Sequence, residues 1–150
     1  MNPLSDAACV YVLAVSPLES DHIALAHIFG HTAWRFESAR SLREVQTQLM
    51  GTCAPVVLCE ENLPDGSWKD LLSLKGIEDP YQVIVTSQQA DERLWAEVLN
   101  LGAYDVLAKP FHSKEVFRTV GQAWRQLTSV RKPPARAYRE LKTVGAGAVA

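Results

Sequence analysis

The run Val10-Tyr11-Val12-Leu13-Ala14-Val15 is apolar throughout, with no polar residue at alternate positions. A strand with one wet face alternates polar and apolar side chains, whereas a strand covered on both faces reads as a continuous apolar run. Pro55-Val56-Val57-Leu58-Cys59 and Tyr81-Gln82-Val83-Ile84-Val85-Thr86 repeat the pattern. Strands of this kind belong in a parallel sheet with helices on both sides.

The segments between the runs carry helical signals. Ser16-Pro17-Leu18-Glu19 reads as a helix start, with Ser16 capping, Pro17 at the first helical position and Glu19 reaching back to the Ser16 amide. This helix runs through Leu18, Ile23, Ala26 and Phe29 to Gly30. Thr32-Ala33-Trp34-Arg35-Phe36 is a short second strand. Ser41-Leu42-Arg43-Glu44 repeats the capping pattern before a helix with Leu42, Val45 and Leu49 on one face. The third strand ends at Glu60-Glu61-Asn62, and Pro64-Asp65-Gly66 follows as a turn. Trp68, Leu71, Leu72 and Lys75 mark a third, shorter helix ending at Gly76. A fourth helix spans 91–101 with Leu94, Val98 and Leu101 facing in, ended by Gly102. Asp105-Val106-Leu107-Ala108 is a brief fifth strand. Ser113 caps a last helix with Val116, Val120, Ala123, Trp124 and Leu127 on its inner face. Five β-α units in strict alternation predict a doubly wound three-layer α/β sandwich. Ligand sites of such sheets lie beyond the carboxyl ends of the strands. That singles out Ser16, Pro17, Glu60, Glu61, Thr86, Ser87 and Lys109.

The 150 residues fit one domain, at 47% hydrophobic and 21% charged, which excludes a disordered chain. No stretch approaches the roughly 18 apolar residues of a membrane span, and no signal peptide is evident, so a cytoplasmic protein is expected. Cys9, Cys53 and Cys59 have neither disulfide nor zinc spacing and read as buried free thiols. Residues 131–150 hold five basic residues against one acid, a net of +4, leaving −6 for residues 1–130. The expected organisation is a domain over 1–130 and a basic, linker-like tail over 131–150. An acidic body with a basic tail does not fit a nucleic-acid-binding domain.

Four pieces in order carry a family resemblance: Leu63-Pro64-Asp65-Gly66, Val83-Ile84-Val85-Thr86-Ser87, Leu101-Gly102-Ala103-Tyr104-Asp105 and Lys109-Pro110-Phe111. Over about residues 8–128 the chain resembles the receiver domain of two-component response regulators. The resemblance implies a flavodoxin-like (βα)5 sandwich with strand order 2-1-3-4-5. In receivers an acidic pair after strand one and an aspartate after strand three hold a magnesium ion during phosphoryl transfer. A hydroxyl after strand four and a lysine after strand five then grip the phosphate.

By position, Thr86 matches the hydroxyl residue, Lys109 the lysine and Glu60 the phosphoacceptor. The acidic pair falls on Ser16 and Pro17, and the aromatic switch position on Val106. Magnesium usually takes one or two carboxylates with water and phosphate oxygens. With Glu60 as the inward carboxylate, Mg2+ binding is expected to be weak or absent, and no other cofactor is indicated. Glu60 either holds the domain near its signalling state or neutralises a buried Lys109.

The fourth helix carries a second apolar stripe, Trp95 and Leu99. The resemblance makes the face of helix four, strand five and helix five the partner and homodimer surface, with Trp95 either an exposed anchor there or a flat, half-buried ring. The resulting expectation is a receiver-like, non-enzymatic interaction module of a phosphorelay system. Its partner would be a histidine kinase, an effector or another receiver, with no direct contact to nucleic acid or membrane. Two alternatives stand beside it. One is an active receiver taking phosphoryl on Glu60 with an unusual metal site. The other is a flavodoxin-like domain binding a small ligand at the same strand ends.

Overall fold

All three long apolar runs become central strands. A computed structural model of the chain describes residues 10–49, 55–73 and 81–131. In chain order it contains β1 (Tyr11–Val15), α1 (Glu19–Phe29), β2 (Arg35–Ala39), α2 (Leu42–Leu49) and β3 (Val56–Glu60). A two-stranded antiparallel turn, β4 (Asn62–Leu63) and β5 (Gly66–Ser67), precedes α3 (Trp68–Ser73). Then come β6 (Gln82–Ser87), α4 (Glu92–Leu101), β7 (Asp105–Ala108) and α5 (Ser113–Arg131). The main sheet is parallel, in the order β2-β1-β3-β6-β7. Leaving out the β4–β5 turn, this is the flavodoxin-like order 2-1-3-4-5.

Side chains alternate across the sheet and build two cores. On one face Val12, Ala14, Leu58, Ile84 and Leu107 meet Leu25, Ile28 and Phe29 of α1 and Val116, Val120 and Ala123 of α5. On the other, Leu13, Val15, Val57, Cys59, Val85 and Val106 meet Val45 of α2, Trp68 and Leu71 of α3, and Leu94 and Val98 of α4. Each fully buried side chain of this size contributes about 1.5–3 kcal/mol relative to exposure. Trp68 is the largest of them.

Several local expectations change. The first helix starts at Glu19 with Leu18 at the N-cap and no side-chain cap. Its buried face is Asp21, His22, Leu25, Ile28 and Phe29, while Ile23 is 62% exposed. Two polar residues inside that face hide the true apolar stripe from a periodicity count. The second strand begins at Arg35, because Thr32 Oγ1 donates to the Phe29 carbonyl and accepts the Trp34 amide, making a turn. Trp34 instead folds against Phe29 and Phe117. Leu101, expected inside, is 50% exposed.

Helix α2 has a composite start. Ser41 Oγ accepts from the Glu44 amide, whereas Glu44 Oε1 accepts from Arg40 rather than Ser41. Asp65, in the turn, accepts the Leu42 and Arg43 amides at 2.9 and 3.1 Å. These bonds hold its carboxyl below the usual carboxylate range, the Leu42 amide first. At α4, Asp91 accepts the Leu94 amide and Gly102 ends the helix at φ 96°. Lys75, Gly76, Cys9, Cys53 and the tail beyond Arg131 lie outside the described residues. No helix among the described residues is long and apolar enough to cross a membrane.

Candidate functional site

The strand ends gather the charged residues. Parallel pairing of β3 with β6 sets Glu60 opposite Thr86. By the alternation of the pleat both follow Leu58 and Ile84 toward the α1–α5 side of the sheet. One residue later, Glu61 donates its amide to the Thr86 carbonyl, and Ser87 donates its hydroxyl to Glu61 Oε1 at 2.9 Å. The Gln89 amide donates to Ser87 Oγ in turn.

Lys109 is fixed at the end of β7 by its amide, which donates to the Ser87 carbonyl at 3.0 Å. Its ammonium turns back over the sheet and donates to Asp21 Oδ2 at 2.7 Å and to Glu60 Oε1. The lysine and Asp21 side chains are each 7% exposed and that of Glu60 is 15% exposed. Glu60 and Lys109, chosen from the sequence, are therefore in direct contact.

Asp21 is not among the strand-end residues singled out from the sequence. It sits in the first turn of α1, and its Oδ2 also accepts the Ser16 hydroxyl at 2.7 Å. A signal was available, since Asp21 lies at i, i+4 and i+7 spacing with Leu25 and Ile28, which puts a carboxylate on a buried face. Ser16 is itself tightly held. Its amide donates to the Ala39 carbonyl, its carbonyl accepts from His22 Nε2 and its hydroxyl accepts the Leu18 amide. The hydroxyl engagement replaces the expected capping box, and Glu19 pairs with Arg40. Pro17 is exposed beside this knot.

A shallow hollow of about 170 Å³ opens at these strand ends, lined by Leu18, Glu60, Glu61, Ser87, Gln88, Gln89 and Lys109. The hydroxyl on its rim is that of Ser87; Thr86 is buried at 3% exposure and does not line it. Below it, burial pushes the Cys59 thiol far above its ordinary range, with the Glu60 charge adding to the effect, so this thiol stays protonated and inert. Val106 is buried against the α2–α4 core. Trp95 and Leu99 stand on the outer side of α4 at 38% and 60% exposure.

The residues do not fit the magnesium ion that the receiver fold implies. Ser16 and Pro17 supply no carboxylate, and both carboxylates that do converge, Asp21 and Glu60, are spent on one ammonium. Among the described residues no group of three His, Cys, Asp or Glu side chains is arranged to hold a metal.

No family model matches the sequence, and no curated protein matches it. Solved structures match it well. The signal receiver domain of an HD domain-containing protein from Pseudomonas fluorescens superposes with a TM-score of 0.75 at 22% identity, covering 84% of this chain and 94% of that one. The chemotaxis response regulator CheY4 of Vibrio cholerae gives 0.68 at 19% identity, covering 77% and 98%. The beryllofluoride-activated NtrC4 receiver domain, solved as a dimer, gives 0.70 at 25% identity, covering 77% and 97%. With its parallel sheet in the order β2-β1-β3-β6-β7 and its charged residues gathered at the strand ends, the chain has the fold of a response-regulator receiver domain.

Proposed function

We propose that this chain is a receiver-like signalling module of a two-component system that works through protein–protein contact, without phosphorylation and without catalysis of its own. The observation that carries the reading is the Asp21–Lys109–Glu60 arrangement. In phosphoryl transfer the barrier falls because cations neutralise charge on the moving group. Here the Lys109 ammonium aimed at the acceptor position is already bound between two carboxylates, and Ser16 and Pro17 offer no carboxylate for another cation. Glu60 serves to hold Lys109, and through it to tie β3, β7 and α1 together at the strand ends. The partner is a histidine kinase, an effector or another receiver, met in the cytoplasm, where a buried thiol such as Cys59 stays reduced.

Acetyl phosphate with magnesium, followed by intact-mass measurement, tests the reading. The expected result is an unchanged mass, with partner capture equal in magnesium and in chelator. An added phosphoryl group lost on the Glu60→Gln substitution would instead establish an active receiver that uses glutamate.

A further inference from the structure

We infer that Lys109 is the resident cation of this site, standing at the point that a divalent ion would have to occupy. The inference rests on the metal-independent reading above and deepens it. One atom, Nζ of Lys109, is bonded by Asp21 Oδ2 at 2.7 Å and by Glu60 Oε1. Two carboxylate oxygens from elements 39 positions apart thus converge on a single centre. A divalent ion held by the same two oxygens would have to lie between them, in the space that the ammonium now fills. The two occupants exclude each other sterically as well as electrostatically.

The surroundings favour the internal cation. Its three charged members are nearly closed to water, so the ammonium cannot be screened or lightly withdrawn. Two carboxylates against one ammonium leave the cluster at −1, and without Lys109 it would stand at −2, the charge a divalent ion balances. The third acid, Glu61, is turned aside to the Ser87 hydroxyl and completes no ligand set. Ser16 plays a positioning part, since its hydroxyl bond to Asp21 Oδ2 aims that carboxylate at the centre. The tethered cation is covalently part of the chain, so its effective concentration does not follow the ionic content of the solution.

Manganese is a suitable probe because it is paramagnetic and oxygen-seeking. Amide line broadening in the wild-type chain and in the Lys109→Met and Lys109→Gln variants is compared over a titration to millimolar Mn2+. The wild type is expected to show no broadening centred on residues 16–21 and 60. Each variant is expected to show it there, with at least tenfold tighter binding, a melting temperature that climbs with Mn2+, and loss of the effect when Glu60→Gln is added. Submillimolar binding by the wild type at these residues would overturn the inference. So would a folded variant that ignores the ion, or a variant that stays unfolded by circular dichroism at millimolar Mn2+, since an interchangeable cation restores the fold. Cation binding is read apart from phosphoryl transfer, so this inference and the phosphorylation-independent reading can fail separately.

Discussion

Two ion pairs in this chain look alike on paper and differ in weight. Arg40 and Glu19 are about half exposed or more, whereas Lys109, Asp21 and Glu60 are nearly enclosed. Exposed pairs contribute about 0–1 kcal/mol, while removing one partner of an enclosed pair costs about 3–5 kcal/mol by stranding the other charges. In urea denaturation Lys109→Met is expected to fall in the second range and Arg40→Ala in the first. Tyr81 gives a second contrast. Its hydroxyl donates to the Leu71 carbonyl at 2.8 Å, and burial, aided by the neighbouring Cys59, pushes its pKa up to about 12. The unfolded value is about 10. The folded state therefore holds this proton more firmly, and the stabilisation is complete below about pH 10 and lost as pH rises toward 12. Tyr81→Phe should lower stability at neutral pH by about 1–3 kcal/mol, by leaving the carbonyl unpaired, and should flatten the alkaline part of the unfolding curve. Of these residues, Glu60 and Lys109 could be picked from the sequence by their strand-end positions. The spacing of Asp21 with Leu25 and Ile28 could show that it is buried, but not its bond to a lysine 88 positions away, which no local pattern reports.

At the scale of elements, the three central strands were the most legible part, since burial on both faces leaves an unbroken apolar signature that turns and caps do not blur. Helix α1 was the least legible. Its inner face spends Asp21 and His22 on the strand-end network, so of the apolar residues read along it Phe29 is buried while Leu18 and Ile23 are exposed. Only the Ser41 part of the α2 cap was legible, because Asp65 arrives from a turn 23 positions downstream. That turn explains a difference between two glycines. Both Gly66, at φ 155°, and Gly102, at φ 96°, occupy backbone conformations that disfavour other residues. A Cβ at Gly102 meets nothing within 4 Å, whereas one at Gly66 would run into Leu42 and Asp70. Gly102→Ala should cost about 1–2 kcal/mol, for the backbone alone. Gly66→Ala should cost clearly more, because the collision also disturbs the start of α2. Chemical denaturation of the two variants side by side checks the order.

Taken as a whole, the molecule exposes Trp95, Leu99 and Leu101 along α4 while burying Leu94 and Val98 beneath them. Truncating exposed side chains usually changes stability by no more than about 0.5 kcal/mol. The paired substitution Trp95→Ala and Leu99→Ala is therefore expected to leave the melting temperature within about 2 °C. It should weaken self-association or partner capture in sedimentation velocity at least tenfold. Unaltered association would move the partner surface elsewhere.

The Lys109 bond to Asp21 also bears on how the chain is made. Every charge in the cluster except the lysine is present by residue 60, and its cation arrives with residue 109, just after the fifth main strand. A nascent chain lacking β7 would have to enclose two carboxylates with nothing to balance them. It gains by leaving that end open to water until the last strand emerges. Closure of that end of the sheet is thereby coupled to the arrival of its last strand.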